Sequence, residues 1–282
     1  MNSLWIVMRL ELKLLLRGRV VWVIACAMAL LGIWEATGIR QIPWGFLQGS
    51  VIVSLFLVSL ILIFATGEWA HRDQESHVDK IIWSTPVSTG TYVWGKYLSM
   101  LAAALGFTLV YLLAAMLADQ FFNLPFQLPI FGQVAYTPLG PEAYLIFWAW
   151  FVLVPIVFGV ALAFAVTTIT RGQRIIAYVL VLLLWFASVA GALPGLLDIT
   201  ANGLVGNAQG SHTTAVFSLA SQAGPNPSQT VTKRVMDLIH ADIPPTFLPW
   251  SFFENRVLFF CLAILLIWLT VGIVSHSRKA AA

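Results

Sequence analysis

Between residues 68 and 88 the chain gathers most of the side chains that could do chemistry. They are Glu68, His71, Arg72, Asp73, Glu75, His77, Asp79 and Lys80, followed by Ser84-Thr85-Pro86-Val87-Ser88. Two imidazoles flanking carboxylates are the residue types of a metal site or an acid–base pair. Their order is not His-Glu-x-x-His, and both lie on a charged loop. No Ser-His pair falls in the apolar stretches. No Gly-x-x-x-x-Gly-Lys-Ser/Thr loop exists to cradle phosphates, so ATP hydrolysis is not expected of this chain. No catalytic, metal or cofactor site is assigned.

The same loop carries a different kind of pattern. Val78, Ile81 and Ile82 have helical spacing, and Ser84-Thr85-Pro86 stops the helix. The opposite face holds Asp73, Glu75, Asp79 and Lys80. A helix resting on lipid should be basic, because the inner leaflet is anionic. This one is mainly acidic, which favours a protein partner over lipid. Ser88 is placed to cap the segment that follows.

The rest of the chain is overwhelmingly apolar. Of 282 residues, 60% are hydrophobic and only 10% charged, and the mean hydropathy is +0.88. Soluble domains carry about 25% charged residues. The composition predicts an all-α polytopic membrane protein, a single transmembrane domain over 1–282. Crossing a bilayer as helix needs about 20 apolar residues. Six spans are predicted, at about 20–38, 46–67, 97–118, 144–170, 175–193 and 257–275. The start, basic through Arg19 with no small-residue cleavage site, does not read as a cleaved signal peptide. Cys26 and Cys261 fall in apolar stretches and are expected to be small buried hydrophobes.

Lys and Arg set the orientation. Arg9, Lys13, Arg17, Arg19, Arg72, Lys80, Lys96, Arg171, Arg174, Arg278 and Lys279 all fall on one side, eleven of the fifteen basic residues. That side is expected to be cytoplasmic, with both termini on it. The other side has a Pro- and Phe-rich segment at 119–142 and a long polar segment at 194–256. The latter reads as an ordered cap on the helix ends, with a short helix expected near 230–240.

Residues 4–17 form an amphipathic helix. Arg9, Lys13 and Arg17 make one basic stripe, and Leu4, Met8, Leu12 and Leu15 lie across from it. This is the pattern of a helix in the membrane interface. Glu11 sits about 200° from Arg9, amid the apolar face. It either snorkels to headgroups or pairs with a cation such as Arg171 or Arg174.

Taken together, these motifs resemble the type-2 ATP-binding-cassette (ABC) permeases. Met8-Arg9-Leu10-Glu11-Leu12-Lys13-Leu14-Leu15-Leu16-Arg17 resembles that family's "elbow" helix. His71-Arg72-Asp73 through Ile81-Ile82-Trp83-Ser84-Thr85-Pro86-Val87-Ser88, then Tyr92 and Gly95-Lys96, resembles its segment after the second span. The layout is similar along the whole chain; the specific part covers about 30 residues. The resemblance implies an exporter permease working as a pair, with a second copy or a related permease. It implies two copies of a separately encoded ATPase that hold the ATP and magnesium, in the inner (plasma) membrane. It makes the loop at 68–92 the home of a cytoplasmic coupling helix. The docking residues would be Arg72, Asp73, Glu75, Val78, Asp79, Ile81, Ile82 and Trp83, with Glu11 as an elbow charge pair. The outer segment before the last span is longer than in many members, so no substrate is carried over.

Two other classes compete. A secondary transporter usually keeps ionisable groups mid-membrane, whereas the span centres here are uncharged and Glu35 lies near a span end. A non-transporting membrane assembly protein would bind no ATPase. Nothing suggests a nucleic-acid partner; membrane lipid is expected around the spans. Trp148, Trp150, Phe151, Phe158 and Trp185 could wall a path for apolar cargo between two copies, although such rings more commonly pack helices or face lipid. Pro155 with Gly159 is a candidate kink.

Overall fold

A computed structural model describes residues 2–37, 58–69, 87–122, 126–128, 132–134, 141–170, 173–189 and 250–281, with the single residues 199, 218 and 233. The helices are α1 (Asn2–Arg17), α2 (Arg19–Thr37), α3 (Val58–Trp69), α4 (Thr89–Phe122), α5 (Pro141–Phe147), α6 (Leu153–Ile169), α7 (Arg174–Val189) and α8 (Trp250–Ala281). A π-helical turn, Trp148–Val152, joins α5 to α6. Two three-residue strands, β1 (Phe126–Leu128) and β2 (Gly132–Val134), pair antiparallel with Gln127 opposite Gln133. Apart from this small hairpin, the regular structure of the described residues is helical, as expected. The hairpin lies between α4 and α5, in the Pro-rich stretch where helix cannot persist.

The chain is a membrane protein by length and composition of its helices. Thr89–Phe121, Tyr144–Ile169 and Trp250–Arg278 are each long and apolar enough to cross a bilayer. A fourth crossing is reached if α1 and α2, bent by 76° at Gly18, count as one broken span. Val58–Trp69 and Ile175–Ala187 are shorter apolar helices. Helix is the expected form, because the hydrocarbon offers backbone groups no other partner.

Helix ends differ from the hydropathy boundaries in an instructive way. α4 begins at Thr89 rather than near 97, and α8 at Trp250 rather than near 257. Lys96 and the run Glu254-Asn255-Arg256 interrupt the apolar signal without interrupting the backbone. At α4 the start is set by Ser88, whose Oγ accepts from the Thr91 N–H at 3.2 Å while its carbonyl accepts from the Tyr92 N–H. That is the expected cap.

Lipid supplies no hydrophobic drive between helices, so close van der Waals packing must hold them. α2 lies on α4 where Gly32 meets Tyr111, Ala114 and Ala115. α3 meets α6 at Gly159, where an added Cβ would sit 3.0 Å from Ile63 Cγ1. α6 and the π turn before it are stitched to α8 by rings: Phe151–Phe252 at 5.1 Å, Phe158–Phe259 at 5.0 Å and Trp150–Phe253 at 5.0 Å. Phe151 and Trp185 are buried within the chain's own bundle, so these rings serve packing between its helices. α7 buries Ala177, Val181 and Trp185 at four-residue spacing and turns Ile175, Val179 and Leu183 outward.

The π turn has a local cause. Pro155 has no N–H for the Phe151 carbonyl, and its ring crowds that carbonyl. One widened turn before Leu153 relieves the clash. The cysteine expectation is corrected: Cys26 and Cys261 are both exposed on the bundle surface. An apolar membrane helix can leave a small side chain facing lipid, so "apolar stretch" does not translate into "buried".

Candidate functional site

The segment with the richest chemistry, including Arg72, Asp73, Glu75, Val78, Asp79, Ile81, Ile82 and Trp83, lies outside the described residues, as do His71, His77 and Arg171. What the structure gives is the frame that holds it. The segment leaves from the end of α3 and returns at the start of α4, and both ends are fastened.

At the departing end, Glu68 accepts a hydrogen bond from the Tyr178 hydroxyl of α7. The Tyr178 ring also packs on Phe64, centroids 5.1 Å apart. Gly67 makes room for this: a Cβ there would lie 3.3 Å from the Tyr178 ring and 3.6 Å from Thr167 Cγ2. The next residue, Trp69, reaches the other way, to Phe107 of α4 at 6.1 Å. Glu68 and Trp69 therefore grip two different helices within two residues of chain.

At the returning end, Arg278 from the last turns of α8 donates to the Val87 carbonyl at 2.8 Å. Its guanidinium also lies 3.4 Å from Thr89 Oγ1. The Ser88 cap follows directly, with Ser88 Oγ and Thr91 Oγ1 2.7 Å apart. The first turns of α4 then meet α1. A Cβ on Gly95 would lie 2.7 Å from Val7 Cγ1 and 3.6 Å from the Leu4 carbonyl.

α1 confirms its expected faces and adds to them. Leu15 is buried, while Arg9, Lys13 and Arg17 are exposed. Glu11 is 8% exposed and lies on the packed face, one turn beyond Val7. Lys96, beside Gly95, is 2% exposed, with its ammonium 5.9 Å from the Tyr92 ring centroid. Both charges have polar or electrostatic partners. The Arg174 side chain, one of the expected partners of Glu11, lies outside the described residues. The exposed side of α1 also carries Trp5, Ile6 and Leu10 beside its cations, the mixture that suits an interfacial helix.

A second buried cation was missed from the sequence. Arg256, counted there with a polar outer segment, sits within α8 and is 4% exposed. Its guanidinium lies 4.6 Å from the Phe252 ring centroid and 5.9 Å from that of Phe151. It donates to the carbonyl of Ile199, a fully buried residue. The available signal was Phe252 four residues before Arg256, one helical turn away. Among the described residues, no group of three or more His, Cys, Asp or Glu side chains could hold a metal.

The sequence matches no known protein-family model and no curated protein.

Proposed function

We propose that this chain is the membrane-spanning permease subunit of an ATP-binding-cassette exporter. It acts as a pair, and each copy engages a separately encoded ATPase. Six helices cross the membrane, both termini are cytoplasmic, α1 is the elbow, and the segment between α3 and α4 is the coupling element. The observation that carries this reading is the run from His71 to Ser88 with its Gly95-Lys96 sequel, which resembles the family's segment after the second span. Two structural features support it. The helix α1, cationic on its open side, bends by 76° into α2. The chemistry-rich segment is anchored at both ends to helices that pass through the bundle.

The mechanism follows from that frame. ATP-driven closure of the ATPases displaces the docked segment. Its two exits are held by α7, α4 and α8, so displacement is delivered to the bundle rather than dissipated in a loose loop. Purification of the tagged chain from its native membrane in mild detergent tests the proposal. An ATPase should co-purify and hydrolyse MgATP in lipid vesicles. Recovery of the chain alone would sink the reading and favour a non-transporting membrane protein or a secondary transporter.

A further inference from the structure

We infer that Glu68 and Tyr178 form the positioning contact that carries displacement of the 70–86 segment into α7. The inference rests on the permease reading and assigns residues that the reading itself does not require.

Three observations converge on one point. The Tyr178 hydroxyl donates to the Glu68 carboxylate across 110 positions of sequence. The Tyr178 ring packs on Phe64, one turn before Glu68 on α3. Gly67 lets the α3 backbone approach that ring, since a Cβ there would crowd Tyr178 at 3.3 Å and touch Thr167 Cγ2 at 3.6 Å. The contact therefore seats the last turn of α3 against α6 and α7 together.

Its place in the chain gives it a role. Glu68 is the second-last residue of α3, directly before the segment proposed to dock on the ATPase. Trp69 holds α4 by ring contact with Phe107. α4 is also continuous with the far end of that segment. α7 is not: among the described residues it meets the last turns of α3 at Tyr178, which lies against Phe64, Gly67 and Glu68, the last of these being nearest the segment. α7 otherwise packs through a narrow stripe, Ala177, Val181 and Trp185, and faces outward elsewhere. A helix held by a narrow stripe can shift as a unit when pulled at one point. A hydrogen bond to a carboxylate is directional and stronger than a neutral one.

The test uses the complex with its co-purified ATPase in lipid vesicles. Cys26→Ser and Cys261→Ser remove the native thiols, and Leu183→Cys on the outward face of α7 carries an environment-sensitive fluorophore. MgATP with orthovanadate should change its emission. Tyr178→Phe keeps the ring and loses only the hydroxyl. It should leave ATPase co-purification unchanged, lower the thermal midpoint only slightly because the bond is exposed, and reduce the emission change several-fold. Glu68→Ala should match it, and Glu68→Gln, which keeps an acceptor, should restore most of the response. An undiminished response in Tyr178→Phe overturns the inference and leaves the permease reading standing. Absence of any ATPase with the unsubstituted chain overturns both. Should Tyr178→Phe disrupt the complex, the two Glu68 variants decide, and equal responses from them overturn the inference.

Discussion

Gly32 of α2 rests directly on the backbone of α4: a Cβ at Gly32 would collide with the Tyr111 carbonyl oxygen and lie 3.0 Å from the Ala115 nitrogen. The backbone itself cannot step aside without moving a helix. Gly32→Val should therefore destabilise the folded chain by about 1–3 kcal/mol, the cost of overpacking a close contact. Gly106→Ala is the control, because nothing among the described residues lies within 4 Å of a Cβ there. Removing a helical glycine from an open position should be neutral or favourable by up to about 1 kcal/mol. Thermal unfolding in detergent, followed for both variants, should give a lower midpoint for the first alone.

Glu11 is buried against α4 while Arg9, two residues earlier, is exposed. Their burial predicts opposite sensitivity. Breaking a buried, compensated charge costs about 3–5 kcal/mol, whereas truncating an exposed cation costs about 1 kcal/mol or less. Glu11→Ala should lower the yield of folded protein and its thermal midpoint well beyond Arg9→Ala. Equal, small effects would show that the Glu11 carboxylate reaches water or headgroups. Lys96→Ala, at 2% exposure on the facing helix, should behave like Glu11→Ala.

Arg256 ties a residue distant in sequence into the bundle through the Ile199 carbonyl, 2.8 Å away. Leaving that buried carbonyl without its donor costs about 1–3 kcal/mol. Arg256→Ala also removes the cation from beside the Phe252 and Phe151 rings. With Cys26→Ser and Cys261→Ser removing the exposed native thiols, Ile199→Cys should react slowly with a maleimide, and much faster when combined with Arg256→Ala. Arg256→Lys should be intermediate, since an ammonium lacks the planar fork that can stack and donate together. Equal labelling rates in all three would show that Ile199 is held by packing alone.

How far these features could be read from the sequence depends on their range. The Ser88 cap was readable, because capping is decided within four residues. So were the two faces of α1, through the four-residue recurrence of Arg9, Lys13 and Arg17. The extent of α4 and α8 was not, because hydropathy reports where lipid can sit and a helix continues past that limit. Cys26 and Cys261 were misread for a physical reason: in water an apolar side chain hides, while in lipid it can face outward. The Glu68–Tyr178 contact left no local pattern, since neither residue's neighbours specify a partner in another helix. Arg256 looked like a charge of the outer segment. Only the aromatic one turn before it hinted that a guanidinium could be accommodated inside.

Trp83 supplies the decisive test of coupling, although it lies outside the described residues. The reading places Val78, Ile81, Ile82 and Trp83 on the apolar face of the docking helix, with Asp73, Glu75 and Asp79 around them and Arg72 at its start. In protein interfaces a few desolvated side chains carry most of the energy, and Trp and Arg are over-represented among them. Acidic groups at the rim act mainly on partner choice and association rate. Trp83→Ala should therefore cost at least about 2 kcal/mol of docking, roughly a 30-fold rise in Kd for the ATPase. Asp79→Asn should chiefly slow association, and more so at low salt, where long-range attraction is unscreened. Trp268→Ala is the matched control, because Trp268 faces outward on α8 and should leave docking unchanged. The measurement is ATPase binding to the permease in lipid nanodiscs, with MgATP hydrolysis followed in parallel. Full binding and full turnover in both Trp83→Ala and Ile82→Ala would mean that the ATPase docks elsewhere. The resemblance at 71–88 would then be one of sequence pattern without shared mechanics.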